Sequence, residues 1–547
     1  MKTNRPRPYR IASTILLPLA LAACHSLPAP PVAPWVADLG DGRYRNPVLH
    51  ADYSDPDAIR VGDTYYMTSS SFNSTPGLPL LASKDMVNWE LVGHALANLV
   101  PAERFARARP GEGVWAPCLR YHDGKFWIFY PDPDHGIFVI TADTFAGPWS
   151  TPFLLLAGKG IIDPTPLWDD DGKAYLLHGW AKSRAGFNNR LTLRAMAPDA
   201  SRLFEAEGRV IIDGDKIAGY RTLEGPKFYK ANGYYYVFAP AGGVEEGWQA
   251  VFRARAIGGP YEVRKVMEQG GSPVNGPHQG AWVRARDGND WFLHFQDKKA
   301  YGRVVHLQPM RWVDDWPVIG EAAPGIEVGN PVATHAKPVP GFASTSPATS
   351  DEFDAPILGL QWQWNANSDP RWYSLAARPG MLRLHTQAAL EANGYVRAAP
   401  SILSQKLPAP RFVVDTRIEM RGAFDGDRAG LILNAMQYAW LGLRKSGTAT
   451  QLVYVTCGPA AAVMRCKEDS TVVLASAPST LYLRMSIADG ALASFSYSTD
   501  NVSFVAAGGP FAVSKGRWVG AQVGLFSVGS SVTGSSLDVD YFRVSPQ

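Results

Sequence analysis

One turn-and-strand pattern recurs five times before residue 300, and this repeat constrains the fold more than any other feature of the chain. Each copy is a tight-turn dipeptide followed by an aromatic-rich run, and the dipeptides are Gly62-Asp63, Asp123-Gly124, Asp171-Gly172, Asn232-Gly233 and Asp287-Gly288. An Asp-Gly or Asn-Gly pair favours a β-hairpin because both central turn positions adopt a positive φ. The first copy, with its order reversed, is the weakest.

The spacing of the copies predicts a propeller. The acidic or amide residues of successive turns are 60, 48, 61 and 55 residues apart. A recurrence near about 50 residues in β-structure is typical of four-stranded propeller blades. Five copies therefore predict five blades. A β-sandwich with unrelated hairpins is the alternative, but it rarely repeats so regularly.

The position eight residues before each turn carries polar residues in register. The residues at this position are Asp55, Trp115, Asp163, Glu224 and Gln279. If the strand entering each hairpin is the innermost of its blade, all five lie at one end of the central channel. Asp55 and Asp163 each precede a proline and are also plausible turn residues. Three acids in register nevertheless favour a site.

Three carboxylates around one axis suit a particular chemistry. They repel one another, so at least one is expected to hold its proton above its usual pKa. Glycoside hydrolysis needs a carboxylic acid that protonates the leaving oxygen and a carboxylate that activates water. A third acid can tune the pKa of the donor and orient it. The three acids therefore predict a glycoside hydrolase.

The residues around these acids resemble glycoside hydrolase family 43. The resemblance covers residues 43 to 325 and rests on Asn46-Pro47, Ser54-Asp55-Pro56-Asp57, Val114-Trp115-Ala116-Pro117, Ile162-Asp163-Pro164 and Glu224-Gly225-Pro226. It implies a five-bladed β-propeller enzyme that inverts the anomeric carbon. Members include β-xylosidases, α-L-arabinofuranosidases and arabinanases, and no cofactor is required.

The resemblance also implies a role for each residue. Asp55 becomes the general base, Asp163 the pKa modulator and Glu224 the general acid. His278 is similar to a family histidine beneath the sugar site, often near a bound calcium ion, so a structural calcium ion is one option there. Arg303 resembles an arginine that hydrogen-bonds the terminal sugar.

Several of these residues have alternatives. His278 is otherwise a core histidine, and Arg303 is otherwise an ion-pair partner of Glu224 or Asp163. The run Asp169-Asp170-Asp171 looks like a calcium site but is more simply a solvated turn.

Other positions near the site are less specific. Trp115 and Phe72 are expected to wall the pocket. Position 118 is Cys where many family members carry Asp, which leaves the three acids untouched but puts any role of that position in doubt.

A second domain follows the repeats. Residues 43–338 are assigned to the propeller, and the Pro-, Ser- and Thr-rich residues 339–350 to a linker. Residues 351–547 alternate apolar and polar side chains, which predicts a β-sandwich. This part resembles the concanavalin-like, jelly-roll domain attached to family 43 β-xylosidases, which can close one side of the pocket. Asp538 and Asp540 are candidate calcium ligands, but solvent-facing acids are the favoured interpretation.

The N-terminus has the features of an export signal. Residues 1–23 combine four basic residues with an apolar run from Ile11 to Ala22. Leu21-Ala22-Ala23-Cys24 resembles a bacterial lipobox, which makes Cys24 the lipidated residue and residues 24–42 a tether. An ordinary signal peptide is the alternative. Both interpretations predict export, and the lipobox indicates a lipoprotein of the periplasm or outer membrane.

Charge and cysteines limit the partners. Without Lys2, Arg5, Arg7 and Arg10 the formal charge of +3 falls to −1, which gives no reason to expect nucleic acid as a ligand. Membrane contact is expected only through the lipid anchor, and the oligomeric state is not predicted. Cys457 and Cys466 form either a disulfide or a pair of free thiols.

The predicted function is release of terminal xylose or arabinose from xylo- or arabino-oligosaccharides by an inverting exo-glycosidase, with β-xylosidase favoured. An α-L-arabinofuranosidase and an endo-arabinanase are the enzyme alternatives. A surface carbohydrate-binding protein is the non-enzyme alternative. The three acids argue against it, because a binding protein needs no proton donor. A fructoside-cleaving propeller is disfavoured because its Asn-Asp-Pro-Asn and Arg-Asp-Pro segments do not occur in the sequence.

Overall fold

The computed structural model describes residues 1–2, 33–205, 207–388, 395–458, 468–532 and 534–547. The signal segment from residue 3 onward, Cys24, the tether up to residue 32, and Cys466 lie outside these ranges. The described part is nearly all β-structure, which confirms the predicted class. Its helices are α1 (Lys182–Ala185) and the 3₁₀ turns Gly214–Lys216, Lys299–Tyr301, Pro370–Trp372 and Val396–Ala398. No helix of the described ranges is long and apolar enough to cross a membrane.

Five antiparallel sheets, each of four consecutive strands, form the propeller. After β1 (Arg43–Arg45), the blades comprise β2 (Asp57–Val61), β3 (Thr64–Thr68), β4 (Gly77–Ser83) and β5 (Trp89–Leu96); β6 (Cys118–His122), β7 (Lys125–Asp132), β8 (Gly136–Ala142) and β9 (Phe153–Ala157); β10 (Ile161–Trp168), β11 (Ala174–Trp180), β12 (Arg190–Met196) and β13 (Arg209–Asp213); β14 (Lys227–Ala231), β15 (Tyr234–Ala241), β16 (Trp248–Ala254) and β17 (Glu262–Met267); and β18 (His278–Arg284), β19 (Asp290–Asp297), β20 (Arg303–Val313) and β21 (Trp316–Ile319).

Every predicted turn joins the first and second strands of a blade. In the second and fourth blades both central turn residues have the expected positive φ, 49° and 73° at Asp123-Gly124 and 51° and 73° at Asn232-Gly233. The first strands β2, β6, β10 and β14 lie side by side, and β18 of the fifth blade returns to β2. These strands are therefore innermost, and the prediction of five blades is confirmed.

The chain before the first blade closes the ring. Strand β22 (Thr334–Ala336) pairs with β1, and Leu49 forms a bridge with Val305 of β20. The Tyr44 hydroxyl, fully buried, donates to the Leu307 carbonyl at 2.8 Å. The first and last blades are thus held together by chain segments almost 300 residues apart in sequence, as the pairing of Arg43 with Ala336 shows.

Two packed sheets form the second domain, as predicted. The first has the order β23-β27-β37-β29-β30-β31-β32 with β26 beside β37, and the second β24-β25-β38-β28-β33-β34-β35 with β36 beside β34. The strands are β23 (Gln363–Trp364), β24 (Tyr373–Ser374), β25 (Leu382–His385), β26 (Gln387–Ala388), β27 (Leu403–Lys406), β28 (Phe412–Arg421), β29 (Arg428–Asn434), β30 (Tyr438–Ser446), β31 (Ala449–Cys457), β32 (Glu468–Leu474), β33 (Thr480–Ala488), β34 (Leu492–Ser498), β35 (Val505–Ala506), β36 (Phe511–Ala512), β37 (Gln522–Gly529) and β38 (Ser536–Pro546).

The core of the sandwich continues into the propeller. Buried side chains of β28, β33 and β37 belong to the same apolar cluster as Tyr301 and Val304 of the fifth blade. The backbones of Thr75 and Trp364 exchange two hydrogen bonds across the boundary. The two domains are therefore joined by core packing as well as by the connecting chain.

Cys457, at the end of β31, is disulfide-bonded.

Two of the acidic clusters differ from expectation. Asp169 is largely buried and accepts a hydrogen bond from the Tyr235 hydroxyl at 2.6 Å, so only its neighbours Asp170 and Asp171 form a solvated turn. Asp538 is also not solvent-facing. Its fully buried carboxylate contacts Arg383 at 2.7 Å, Arg421 at 3.0 Å and Arg378 at 3.1 Å.

Three guanidinium groups around Asp538 exclude the calcium alternative, because a cation site needs oxygen ligands and not further cations. Burial by itself raises the pKa of Asp538, but hydrogen bonds from Arg383 and Arg378 outweigh it and lower that pKa below the usual value. Asp540, two residues on, is 38% exposed and pairs with Arg417.

Asp538→Ala is expected to destabilise the protein by about 3 kcal/mol, because it leaves three arginines around a buried position without their shared partner. Asp540→Ala, which removes an exposed acid from the same strand, is the matched control and should cost less than about 1 kcal/mol. Urea unfolding followed by circular dichroism measures both. Equal midpoints for the two variants would contradict this role of Asp538.

Candidate active site

A pocket of about 270 Å³ opens at one end of the propeller channel. Six of the seven predicted catalytic or sugar-binding residues line it, namely Asp55, Phe72, Trp115, Asp163, Glu224 and Arg303. The seventh, His278, is fully buried behind Glu224. The three acids that occupy the same position in the sequence repeat thus line one cavity.

Three of the five equivalent positions share an unusual backbone conformation. Asp55, Asp163 and Gln279 occupy equivalent positions of three blades, with φ of 54°, 53° and 40°. Residues other than glycine rarely adopt this left-handed region, and it is concentrated at functional sites. In β10 and β18 it coincides with a break in strand pairing, between Ile162 and Thr165 and between His278 and Gly280. The inner strands therefore bend at the pocket.

Asp55 is held through both carboxylate oxygens. Its Oδ1 accepts a hydrogen bond from Arg303 Nη1 at 2.8 Å, and its Oδ2 accepts one from Ser70 Oγ at 2.5 Å. The alternative that Arg303 forms an ion pair with Glu224 or Asp163 is therefore wrong, because its ion-pair partner is Asp55. Both Asp55 and Arg303 are buried to about nine-tenths, with side-chain exposures of 6% and 11%. The contact with a guanidinium is a charge-assisted hydrogen bond, which is stronger than one between neutral groups.

The other two acids are connected through Gly225 of the fourth blade. Asp163 Oδ2 accepts a hydrogen bond from the Gly225 N–H at 2.8 Å, so it contacts the residue that follows Glu224. Glu224 Oε1 lies 3.1 Å from His278 Nε2, and its side chain is 24% exposed to the pocket. Glu224 is consequently the one of the three acids that is most accessible to a ligand.

Asp163 keeps a proton that an ordinary aspartate would lose. Burial raises its pKa to about 8, and the carboxylates of Glu224 and Asp55 add to the rise, while the Gly225 N–H and Lys227 oppose it. The cluster therefore retains an acidic proton near neutral pH.

Aromatic rings from both domains form the wall of the pocket. The Trp115 ring lies 6.2 Å from Phe72 and 6.2 Å from Trp518, in an edge-on arrangement with the latter. Arg184 places its guanidinium 5.3 Å from the Trp115 ring centroid. Flat apolar faces of this kind stack against the apolar face of a sugar ring.

Trp518 and Ser70 are the site residues that sequence reasoning missed. Trp518 comes from the sandwich, almost 200 residues after the last propeller strand ends at Ile319, and no local motif marks it. Gly111, with φ +80°, permits its approach, since a Cβ there would lie 2.4 Å from Arg517 Cγ. Cys118 takes no part in the pocket lining; it is buried, its Sγ lies 3.6 Å from Thr165 Oγ1, and burial raises its pKa to about 12.

The structural calcium ion considered near His278 stays a prediction. Calcium prefers six to eight oxygen ligands, whereas the His278 ring lies against Phe295 and next to Glu224. Across the residues that the structure describes, no group of three His, Cys, Asp or Glu side chains could hold a metal ion.

Comparison with known proteins gives two family matches. Residues 44–317 match the model described as glycosyl hydrolases family 43, and residues 350–545 match a beta-xylosidase C-terminal concanavalin A-like domain. A putative beta-xylosidase of Xylanibacter ruminicola is 37% identical over 89% of this chain and 86% of its own length. A beta-xylosidase of Formosa agariphila is 32% identical over 97% of both chains.

Two further proteins show the range of the similarity. A non-reducing end alpha-L-arabinofuranosidase of Bacteroides ovatus is 30% identical over 79% of this chain and 82% of its own length. The crystal structure of a xylan beta-1,4-xylosidase from Bacillus halodurans superposes with a TM-score of 0.79 at 25% identity, covering 92% of this chain and 99% of that one.

The raised pKa of Asp163 predicts a pH-dependent stability. Below about pH 4 the carboxyl is protonated in both the folded and unfolded states, and its contribution is full. As the pH rises towards 8 the unfolded state releases the proton more readily, so stability is lost through this window. Asp163→Asn has no proton to lose and should escape that loss.

The melting temperature of Asp163→Asn relative to the unmodified protein is therefore expected to rise between about pH 4 and pH 8 and then to level off. Differential scanning calorimetry across this range measures it. Asp143→Asn, an exposed acid on the second blade, should show a difference that does not vary with pH. A flat profile for Asp163→Asn would contradict the raised pKa.

Proposed function

The chain belongs to glycosyl hydrolases family 43 and is a glycosidase, and from this premise we propose that it is an inverting, exo-acting β-xylosidase. The observation that carries the proposal is that Asp55, Asp163 and Glu224 line one pocket and that each has different hydrogen-bond partners. The relatives named beta-xylosidase, which align over most of the chain, support xylose as the released sugar.

In the proposed reaction Asp55 is the general base. Its ionised carboxylate, held by Arg303 and Ser70, takes a proton from a water molecule as the water oxygen attacks the anomeric carbon. Attack from the side opposite the leaving group inverts the configuration at that carbon. A base of this kind accelerates such a step by about 10²–10⁴-fold.

Glu224 is the proposed general acid. It donates its proton to the glycosidic oxygen as the bond between that oxygen and the anomeric carbon breaks, so that the leaving sugar departs as a neutral alcohol. Asp163 contacts the N–H of Gly225, the residue that follows Glu224, and in the proposed reaction it orients the acid and modulates its pKa. Asp55 and Glu224 belong to blades that are not neighbours, which supports the wider acid–base separation of about 6.5–9.5 Å in inverting enzymes.

The wall of the pocket supports exo action. Phe72 and Trp115 of the propeller and Trp518 of the sandwich bound the cavity, so a terminal sugar fits better than the interior of a long chain. An endo-arabinanase needs an open groove that a polysaccharide can cross. The arrangement is therefore the one expected of an enzyme that removes single residues from a chain end.

An α-L-arabinofuranosidase is the second candidate, and the Bacteroides ovatus relative favours it. Xylopyranose and arabinofuranose share enough hydroxyl geometry that the three carboxylates serve either sugar equally. A carbohydrate-binding protein is disfavoured, because binding alone gives no reason for the raised pKa of Asp163.

We also propose that the enzyme is exported and anchored by lipid at Cys24, in the periplasm or outer membrane. The basic segment, the apolar run and Leu21-Ala22-Ala23-Cys24 support this proposal. An oligosaccharide-degrading enzyme in that location would act on fragments outside the cytoplasm.

Asp55→Asn and Glu224→Gln are expected to differ in how much their loss of activity depends on the substrate. Asp55→Asn should lower kcat by about 10²–10⁴-fold on both 4-nitrophenyl β-D-xyloside and xylobiose, because water must be activated in either case. Glu224→Gln should reduce hydrolysis of xylobiose far more, since nitrophenolate leaves without protonation. Steady-state kinetics on the two substrates separates the roles.

Matched controls exist on the surface. Asp63→Asn and Glu246→Gln replace exposed acids, 69% and 79% accessible, and both should keep full activity. Equal losses on both substrates for Glu224→Gln would remove it as the general acid. Substantial activity in Asp55→Asn would remove that residue as the base.

The sugar and the stereochemistry are tested together. The enzyme should hydrolyse 4-nitrophenyl β-D-xyloside with a higher kcat/KM than 4-nitrophenyl α-L-arabinofuranoside. Proton NMR of the earliest product should show α-xylose, the inverted anomer. A preference for the arabinofuranoside would favour the second candidate, and β-xylose as first product would refute the inverting mechanism.

A further inference from the structure

We propose that Asp52 is a positioning residue through which the sandwich domain holds the Arg303–Asp55 pair in its working geometry. This inference rests on the proposed role of Asp55 as general base. It concerns a residue outside the pocket lining, three positions before the base in sequence.

Asp52 uses both carboxylate oxygens, one toward each domain. Its Oδ1 accepts hydrogen bonds from the Ser54 hydroxyl at 2.8 Å and from the Arg303 N–H at 2.9 Å. Its Oδ2 accepts one from the Gly520 N–H of the sandwich at 2.8 Å. The side chain is buried. Hydrogen bonds to a carboxylate are stronger than those between neutral groups, so these contacts define the positions of their donors.

On the propeller side the link leads directly to the base. Asp52 fixes the main chain of Arg303, and the side chain of the same residue donates to Asp55 at 2.8 Å. Gly302, with φ +74°, allows the close approach, because a Cβ there would lie 2.4 Å from Asp52 Cγ. A displacement of Asp52 would therefore move the guanidinium that donates a hydrogen bond to the base.

On the sandwich side the link leads to the pocket wall. Gly520 packs on the propeller backbone so closely that a Cβ would lie 2.7 Å from Gly302 N. The next residue, Ala521, donates its N–H to the Ala300 carbonyl at 2.7 Å. Trp518, two residues before Gly520, lines the pocket. One carboxylate therefore sets both the cation beside the base and the aromatic wall that the sandwich contributes.

Asp52→Asn tests the proposal, because an amide has one acceptor oxygen and cannot serve both the Arg303 and Gly520 N–H groups. The kcat on 4-nitrophenyl β-D-xyloside should fall by about 10- to 100-fold, the cost of a small misplacement of a catalytic group. The KM should change less than kcat, since Phe72 and Trp115 are untouched. Circular dichroism at the assay temperature must show the variant to be folded.

Gly520→Ala approaches the same contact from the sandwich and serves as the second variant. Its added Cβ displaces the Gly520 N–H from Asp52, so kcat should fall in the same way. Because the two substitutions act through one contact, the double variant should be no slower than the slower single variant. Multiplying losses would overturn the proposal, since they indicate two independent effects.

Tyr301→Phe is the control for a merely structural role. It removes another hydrogen bond across the same boundary, from the Tyr301 hydroxyl to the Pro410 carbonyl at 2.7 Å, without touching Asp52. It should lower the melting temperature but leave kcat unchanged. If Asp52→Asn and Tyr301→Phe lower kcat equally, Asp52 contributes stability only and the proposal is wrong.

Hydrogen exchange gives a readout that does not depend on catalysis. Asp52→Asn should increase amide exchange at Arg303 and in residues 518–521 together, whereas Tyr301→Phe should not change the amide of Gly520. Unchanged exchange in either segment would overturn the proposed link. If the unmodified protein hydrolyses no aryl glycoside, the proposed function fails, and so does a catalytic purpose for Asp52, even where exchange confirms the contact itself.

Discussion

Like charges brought together in a buried pocket repel one another, and the mouth of this channel gathers three carboxyl groups that water cannot fully screen. The structure treats each one differently. Asp55 faces a guanidinium, Asp163 retains a proton, and Glu224 contacts His278 while remaining partly open to the pocket. This uneven environment converts three similar side chains into groups that can serve as base, modulator and acid. The rest of the site, including its aromatic wall, is arranged around that difference.

Much of this arrangement was accessible from sequence because propeller geometry is repetitive. The turns at Asp123-Gly124 and Asn232-Gly233 have local signatures that depend only on backbone preferences, and each marks the junction of an inner strand with its neighbour. Counting back a fixed number of residues therefore reaches the same height in every blade. Asp55 and Asp163 also share a backbone conformation with positive φ, as expected of residues at equivalent positions of two blades. A repeat makes distant residues predictable when each has an equivalent in the next blade.

Features without an equivalent in another blade were not predictable. Trp518 reaches the pocket from a loop whose sequence resembles any surface loop, and its position depends on how two domains pack. Asp538 was expected to face solvent because alternation along β38 does not reveal what lies across the strand. Three arginines from other segments cover it. Contacts between single residues far apart in sequence produce no repeating sequence pattern. The interface between the domains is therefore not predictable from the sequence alone.

The contribution of Trp518 has a consequence for the order in which the enzyme becomes competent during its synthesis. The propeller strands end at Ile319 and form sheets of consecutive strands, so they can assemble while the ribosome is still translating. The final strand, β38, lies between β25 and β28 in the interior of its sheet. The sandwich, and with it the wall that Trp518 provides, is complete only after β38 has been translated. A partly made chain therefore carries the acids but lacks a finished pocket.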